Sequence, residues 1–143
     1  MAAVNAGPDE QRVDVFFYGL FMDADVLREN QVQAIDPRPA YADGYALRIG
    51  RRATLIPFAG KRAYGMVYAL TEGELDRLYS APGLEPYRPE PLLVQMDDGK
   101  ALPVLCYVCP RPQPGEANAE YAARLRAVLK KLGFSQAYVD SVA

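Results

Sequence analysis

The chain has 143 residues, half of them hydrophobic and 24% charged, the size and composition of a single globular domain that needs no disulfide or metal staple. Its formal net charge of −2 gives no overall attraction to nucleic acid, and no apolar run reaches the roughly 18 residues of a membrane-spanning helix. Histidine is absent, which removes Ser-His and Cys-His nucleophile pairs and most catalytic zinc sites, so any acid–base chemistry falls to carboxylates or tyrosines.

Residues 1–12 carry Asp9 and Glu10 and lack the basic-then-apolar order of a signal peptide, so they read as a disordered leader before one domain over 13–143. Val13 to Tyr18 is a β-branched and aromatic run ending at Gly19, a strand followed by a turn. Asp23 caps a short helix through Asn30, with Val26 and Leu27 inward, and Pro37 and Pro39 stop any continuation. Tyr41 to Ile49 has partial strand character with a bend at Gly44. Ala53 to Phe58 is a further short strand, Gly60-Lys61 a turn, and Arg62 to Leu70 the best candidate for a central strand. Thr71-Glu72-Gly73-Glu74 fits a capping box, and the helix it opens places Leu75 and Leu78 on one side before Pro82-Gly83. Tyr87 to Met96 and Ala101 to Cys109 flank an Asp-Gly turn and form a hairpin. A proline-rich connector, Pro110 to Asn118, leads to a helix with Tyr121, Leu125, Val128, Leu129 and Leu132 at helical spacing, closed by Gly133. Ser135 caps a last short helix. This order predicts an α+β fold: a small mixed sheet, mostly antiparallel and suited to a barrel, with peripheral helices. The core is expected over 13–109 and the C-terminal helices within 116–142.

Four groups of residues bear on function. The loop Tyr18-Gly19-Leu20-Phe21-Met22 joins a strand to a helix, and backbone N–H groups left unpaired there would suit a carboxylate or an oxyanion, although a plain turn is the commoner meaning of such a glycine. Cys106 and Cys109 lie on one predicted strand, where positions three apart face opposite ways, so they read as packed residues and not as a redox or zinc pair. With no disulfide framework, a reducing, cytoplasmic location is expected. Glu85, between Leu84 and Pro86, is either a loop acid of raised pKa able to act as a base or an ordinary surface glutamate. Arg48, Arg51, Arg52, Lys61 and Arg62 form a local basic cluster. No nucleic-acid-binding motif accompanies it, so solvated strand ends and a turn account for it.

Taken together, Tyr18-Gly19-Leu20-Phe21-Met22-Asp23 with Val26-Leu27 resembles the Tyr-Gly-Ser/Thr-Asn/Leu-Leu/Met opening of the γ-glutamylcyclotransferase family, AIG2-like branch. Gly44-Tyr45 and Gly65-Met66-Val67-Tyr68-Ala69-Leu70 resemble its Gly-Tyr and Gly-x-Val-Tyr-x-Leu strands. Leu75 and Leu78 through Gly83, then Tyr87 and Arg88, resemble its Leu-x-x-Leu-Asp-x-x-Glu-Gly…Tyr-x-Arg segment.

The resemblance implies a small β-barrel with peripheral helices. It also implies intramolecular acyl transfer, in which a γ-glutamyl α-amine attacks its own γ-carbonyl to form 5-oxoproline and release the amine, with proximity and oxyanion donors supplying much of the rate. It implies no metal or organic cofactor, and as partner a small γ-glutamyl or amino-acid-like molecule held by Tyr18, Gly19, Leu20, Phe21, Met22 and Tyr87. Neither nucleic acid nor membrane is an expected partner, and the oligomeric state is left open. Aligned on Leu78 and Gly83, Tyr79 falls at the family's aspartate and Pro82 at its proton-shuttling glutamate. A prolyl ring moves no proton, so Glu85 is the expected substitute; the alternative is a homologue that binds a small amine- or carboxylate-bearing ligand without this reaction.

Overall fold

The computed structural model describes residues 11–143. Of the leader expected over 1–12, residues 1–10 lie outside the described residues, while Arg12 already opens a strand.

Five strands close into a barrel: β1 Arg12–Phe17, β2 Ile35–Ile49, β3 Ala53–Thr71, β4 Arg88–Met96 and β5 Ala101–Val108, in the spatial order β1-β3-β2-β4-β5. Every pairing is antiparallel except the closing one, where β1 meets β5 in parallel at Val15 and Leu105. Four helices lie outside: α1 Ala24–Glu29, α2 Glu72–Tyr79, α3 Ala119–Lys131 and α4 Gln136–Ser141.

The alternation along β1 builds two cores at once. Val15 and Phe17 face outward into a cluster with Leu27, Leu75, Leu78, Leu125 and Leu129 from the helices. Phe16 and Tyr18 face into the barrel with Val67, Val94 and Cys106. Small residues, Ala40, Ala42, Ala53 and Ala63, line the rest of that interior, as a narrow barrel requires. Gly65 shows how tight it is: a Cβ there would overlap the Phe17 carbonyl oxygen and the Phe16 ring.

Helix boundaries follow local chemistry. The Asp23 carboxylate accepts from the Asp25 N–H (3.0 Å) to start α1. Thr71 and Glu74 form the full capping box of α2, Asn118 caps α3 and Ser135 caps α4. Gly133 ends α3 with φ +84°, a conformation glycine adopts freely.

Two strand boundaries differ from expectation. The strand anticipated from Tyr41 begins at Ile35 and includes both prolines. A bulge separates the Ile35 and Arg38 pairs, and on its other side β2 meets β4 only at Ala40 and Tyr41, so the prolines sit where one edge is unpaired. The two strands anticipated on either side of Gly60-Lys61 are one element, β3. Pairing steps from Asp43↔Arg62 to Tyr45↔Pro57, so the four residues Phe58 to Lys61 face the single Gly44 as a multi-residue bulge. Gly60, at φ +84°, supplies the local turn without ending the strand. The hairpin of β4 and β5 runs in continuous register from Arg88↔Val108 to Gln95↔Ala101.

Candidate functional site

β1 delivers Tyr18 into the barrel and then releases the chain into a 3₁₀ turn, Leu20–Met22. Tyr18, Gly19, Leu20 and Phe21 line a cavity of about 330 Å³ between this loop, the end of α2, the start of β3 and the face of α3. Tyr87, Leu84 and Val26 complete its apolar wall, and Arg51, Arg52 and Arg124 supply its charge. Met22, expected in the site, is a correction. The 3₁₀ turn rotates it into the core, where it is fully buried and its carbonyl accepts the Tyr68 hydroxyl at 2.7 Å.

Several groups at the cavity are already satisfied by the protein. The Tyr18 hydroxyl donates to the Tyr107 carbonyl at 2.7 Å, and the Tyr87 hydroxyl donates to the Ala53 carbonyl. The loop N–H groups, expected to be free, largely have partners. The Leu20 N–H donates to the Tyr121 hydroxyl (3.2 Å), and the Met22 and Asp23 N–H groups close onto the Gly19 and Leu20 carbonyls. Tyr121 lies so close that a Cβ on Gly19 would collide with its hydroxyl, which is why glycine stands there.

Tyr79, the last residue of α2, forms the aromatic floor. It stacks parallel on Tyr107 (centroids 3.9 Å apart, planes 9° apart) and lies 6.0 Å from both Phe21 and Tyr87. Burial drives the Tyr18 and Tyr79 hydroxyls well above the usual tyrosine pKa and raises Tyr87, Tyr107 and Tyr121 as well. Nearby phenols and thiols add to this for most of them, whereas at Tyr121 the Leu20 N–H works in the opposite direction. These phenols are therefore proton-bearing donors at neutral pH and weak candidates for bases.

Glu85 lies elsewhere. It is exposed, and its carboxylate turns back to accept the Gly83 N–H at 3.1 Å, outside the cavity lining. The backbone N–H groups of Glu85 itself and of Gly83 hold its pKa below the usual carboxylate range, opposite to the raised value a neutral-pH base needs. Pro82 is also exposed and outside the lining. Among the described residues no aspartate or glutamate lines the cavity, and no cluster of three or more Cys, Asp or Glu is arranged to hold a metal ion. Cys106 is buried in the barrel, where burial raises its thiol pKa, and Cys109 is half-buried just beyond β5; both are free thiols. No helix among the described residues is long and apolar enough to cross a membrane.

Sequence reasoning missed Tyr79, Tyr107, Tyr121 and the cationic contribution of Arg51, Arg52 and Arg124 to this cavity. The Arg51-Arg52 pair was legible as a cluster but read as solvated turn charge. Its closeness to a tyrosine-rich loop arises only on barrel closure.

The chain is therefore an α+β protein built on a closed five-stranded barrel, with a cavity at the loop after its first strand. The model of the family described as gamma-glutamyl cyclotransferase, AIG2-like, matches residues 15–124, and the chain belongs to that family. A solved gamma-glutamyl cyclotransferase shares the fold at a TM-score of 0.73 and 15% identity over 93% of this chain and 89% of that one. An uncharacterised protein from Homo sapiens gives 0.72 at 17% identity over 92% and 88%. An AIG2-like protein from Mus musculus gives 0.57 at 18% identity over 77% and 90%. No curated protein matches the chain in sequence.

Proposed function

We propose that this γ-glutamylcyclotransferase-like protein binds a small γ-glutamyl or amino-acid-like carboxylate in the tyrosine-walled cavity and does not close it to 5-oxoproline. The observation that carries this reading is the charge of the cavity, which has arginines and protonated phenols but, among the described residues, no carboxylate. Ring closure needs the attacking amine free of its proton, so a site without a base holds such a ligand unreacted. The family's Leu-Asp-x-x-Glu pattern, aligned on Leu75-Asp76, sets Tyr79 rather than Pro82 opposite the glutamate. Tyr79 is also the side chain that the end of α2 contributes to the cavity. A phenol held protonated by burial donates a hydrogen bond there but takes no proton from an amine.

The test pairs two measurements on the full chain with a panel of γ-glutamyl amines, γ-glutamyl dipeptides and 5-oxoproline: thermal shift, and release of 5-oxoproline. The expected result is ligand-dependent stabilisation without release. Turnover at rates above the uncatalysed background overturns it.

A second reading keeps the family's ring closure with Glu85 as the proton carrier. It is favoured by Leu84 and Tyr87, which flank that loop and both line the cavity, so a turn of the loop brings the carboxylate from Gly83 toward the ligand. Under this reading 5-oxoproline is released, and Glu85→Gln abolishes the release.

A further inference from the structure

We infer that the cavity selects a carboxylate carrying a flat apolar body and no free ammonium group, that is, an N-acylated or lactam amino acid in preference to an amino acid or γ-glutamyl compound with its amine exposed. This rests on the binding reading above and narrows it, within the same cavity, from γ-glutamyl or amino-acid-like carboxylates in general to those whose amine is blocked.

Three features of the site converge on that class. The first is the sign of its charge. Arg51, Arg52 and Arg124 line the cavity, and among the described residues neither Arg51 nor Arg124 has an acidic partner. Arg52 donates through Nε to the Gly83 carbonyl, so one of the three cations is already occupied in fixing the loop. Asp76, whose charge reaches Tyr107, is exposed on α2 and is no part of the lining. Arg51 and Arg124 are exposed residues of the lining, so their guanidinium groups are free to turn onto a ligand carboxylate for bidentate hydrogen bonding. A ligand ammonium finds like charge and no anion, and it loses its water on entry.

The second feature is shape. Tyr79 and Tyr107 stack as a double panel, with Phe21 edge-on to Tyr79 and Tyr87 tilted beside it, which gives an aromatic wall against which a planar or aliphatic group packs. The third is hydrogen-bond supply. The Tyr79 hydroxyl has no partner among the described residues, whereas Tyr18 and Tyr87 donate theirs to backbone carbonyls and Tyr121 accepts the Leu20 N–H. A phenol at the cavity whose proton no described protein group accepts matches an acyl or lactam carbonyl. The aromatic faces offer an ammonium a cation–π contact, so the probes are chosen to separate the two.

The experiment is isothermal titration of the full chain with matched probes: N-acetyl-phenylalanine, phenylalanine, N-acetyl-phenylalanine amide and a γ-glutamyl dipeptide. N-acetyl-phenylalanine is expected to bind at least tenfold more tightly than each of the others. The paired variant Arg51→Gln/Arg124→Gln is expected to weaken it at least tenfold while leaving the melting temperature of the free protein unchanged. Equal or tighter binding of phenylalanine or the γ-glutamyl dipeptide overturns the ammonium exclusion and leaves the binding reading standing. Equal binding of the amide, or full affinity in the arginine variant, overturns the carboxylate contact. Failure of all four probes to bind overturns this proposal and, with a null thermal shift across the γ-glutamyl panel, the binding reading as well.

Discussion

The two ends of α2 hold their polar groups in opposite ways. At its start Glu74 is 7% exposed, and its carboxylate accepts from the Thr71 N–H (2.9 Å), the Gln33 N–H (2.9 Å) and the Arg12 guanidinium (3.1 Å). Burial alone would push its pKa up, yet these donors outweigh it and bring the pKa below the usual value. At the far end Tyr79 is half-buried against three aromatic residues and its hydroxyl has no hydrogen-bond partner among the described residues, so burial acts without an opposing donor and the pKa rises. A buried polar group with every partner present is scaffold. One that opens onto a cavity with no protein partner is free to serve a ligand there.

The largest expected effect breaks the satisfied end. Glu74→Ala strips the capping box, leaves two backbone N–H groups without acceptors and takes from Arg12 its carboxylate partner, leaving it only the Ala69 and Gln33 carbonyls, and it should cost about 3 kcal/mol in urea unfolding. A cost below about 1 kcal/mol would show that water replaces the carboxylate and that the end is not scaffold. The pH dependence has a definite sign. Because the folded-state pKa lies below the ordinary 4.5, the contribution is complete above that value and disappears as pH falls through the folded-state pKa. The gap between wild type and Glu74→Gln should therefore narrow only in acid, below about pH 4.5.

The next effect probes the loop, where the protein fills its own donor. Gly19→Ala pushes a Cβ against the Tyr121 hydroxyl and removes its bond to Leu20, a cost of about 1–2 kcal/mol. In a Tyr121→Phe background the obstructing oxygen is gone and the ring carbon behind it stands 3.7 Å away, an ordinary contact. The double variant should thus be more stable than the sum of the single changes implies, by about 1 kcal/mol. Strict additivity would mean that Tyr121 does not sit over Gly19 in solution.

What the sequence disclosed divides along the same line. The capping box of α2, the Asp23 and Ser135 caps and the Asp-Gly hairpin were legible because each is settled by residues within a few positions of one another. The unbroken β3 was not, since Gly60 carries the local signature of a turn and only pairing with β2 shows it to be a bulge. In the cavity lining, Tyr18 to Phe21 and Tyr87 were readable from the loop and the family segment, whereas Met22 lay one residue too far along a turn that rotates it inward. Tyr107 and Tyr121 looked like ordinary members of a strand and a helix face. Their convergence with Arg51 and Arg124 depends on how α3 lies across the mouth of the barrel, which no local pattern encodes.

The smallest effect on stability is the sharpest test of the missing partner, and it takes a pair of phenol deletions. Tyr68→Phe removes a hydroxyl that donates to the buried Met22 carbonyl at 2.7 Å, so it strands an acceptor and should cost about 1 kcal/mol. Tyr79→Phe removes a hydroxyl that satisfies nothing in the protein and keeps the ring stacked on Tyr107, so unfolding at pH 7 should change by less than about 0.5 kcal/mol. In alkali the two proteins should then separate. A phenol whose folded-state pKa lies above the ordinary 10.0 favours the native state fully below that pH and ceases to do so as pH climbs through its folded-state value, so the wild type should lose ground to Tyr79→Phe above about pH 10. A loss for Tyr79→Phe at neutral pH equal to that for Tyr68→Phe would mean that the hydroxyl already has a structural partner, and the unsatisfied end of α2 would no longer mark a place for a ligand.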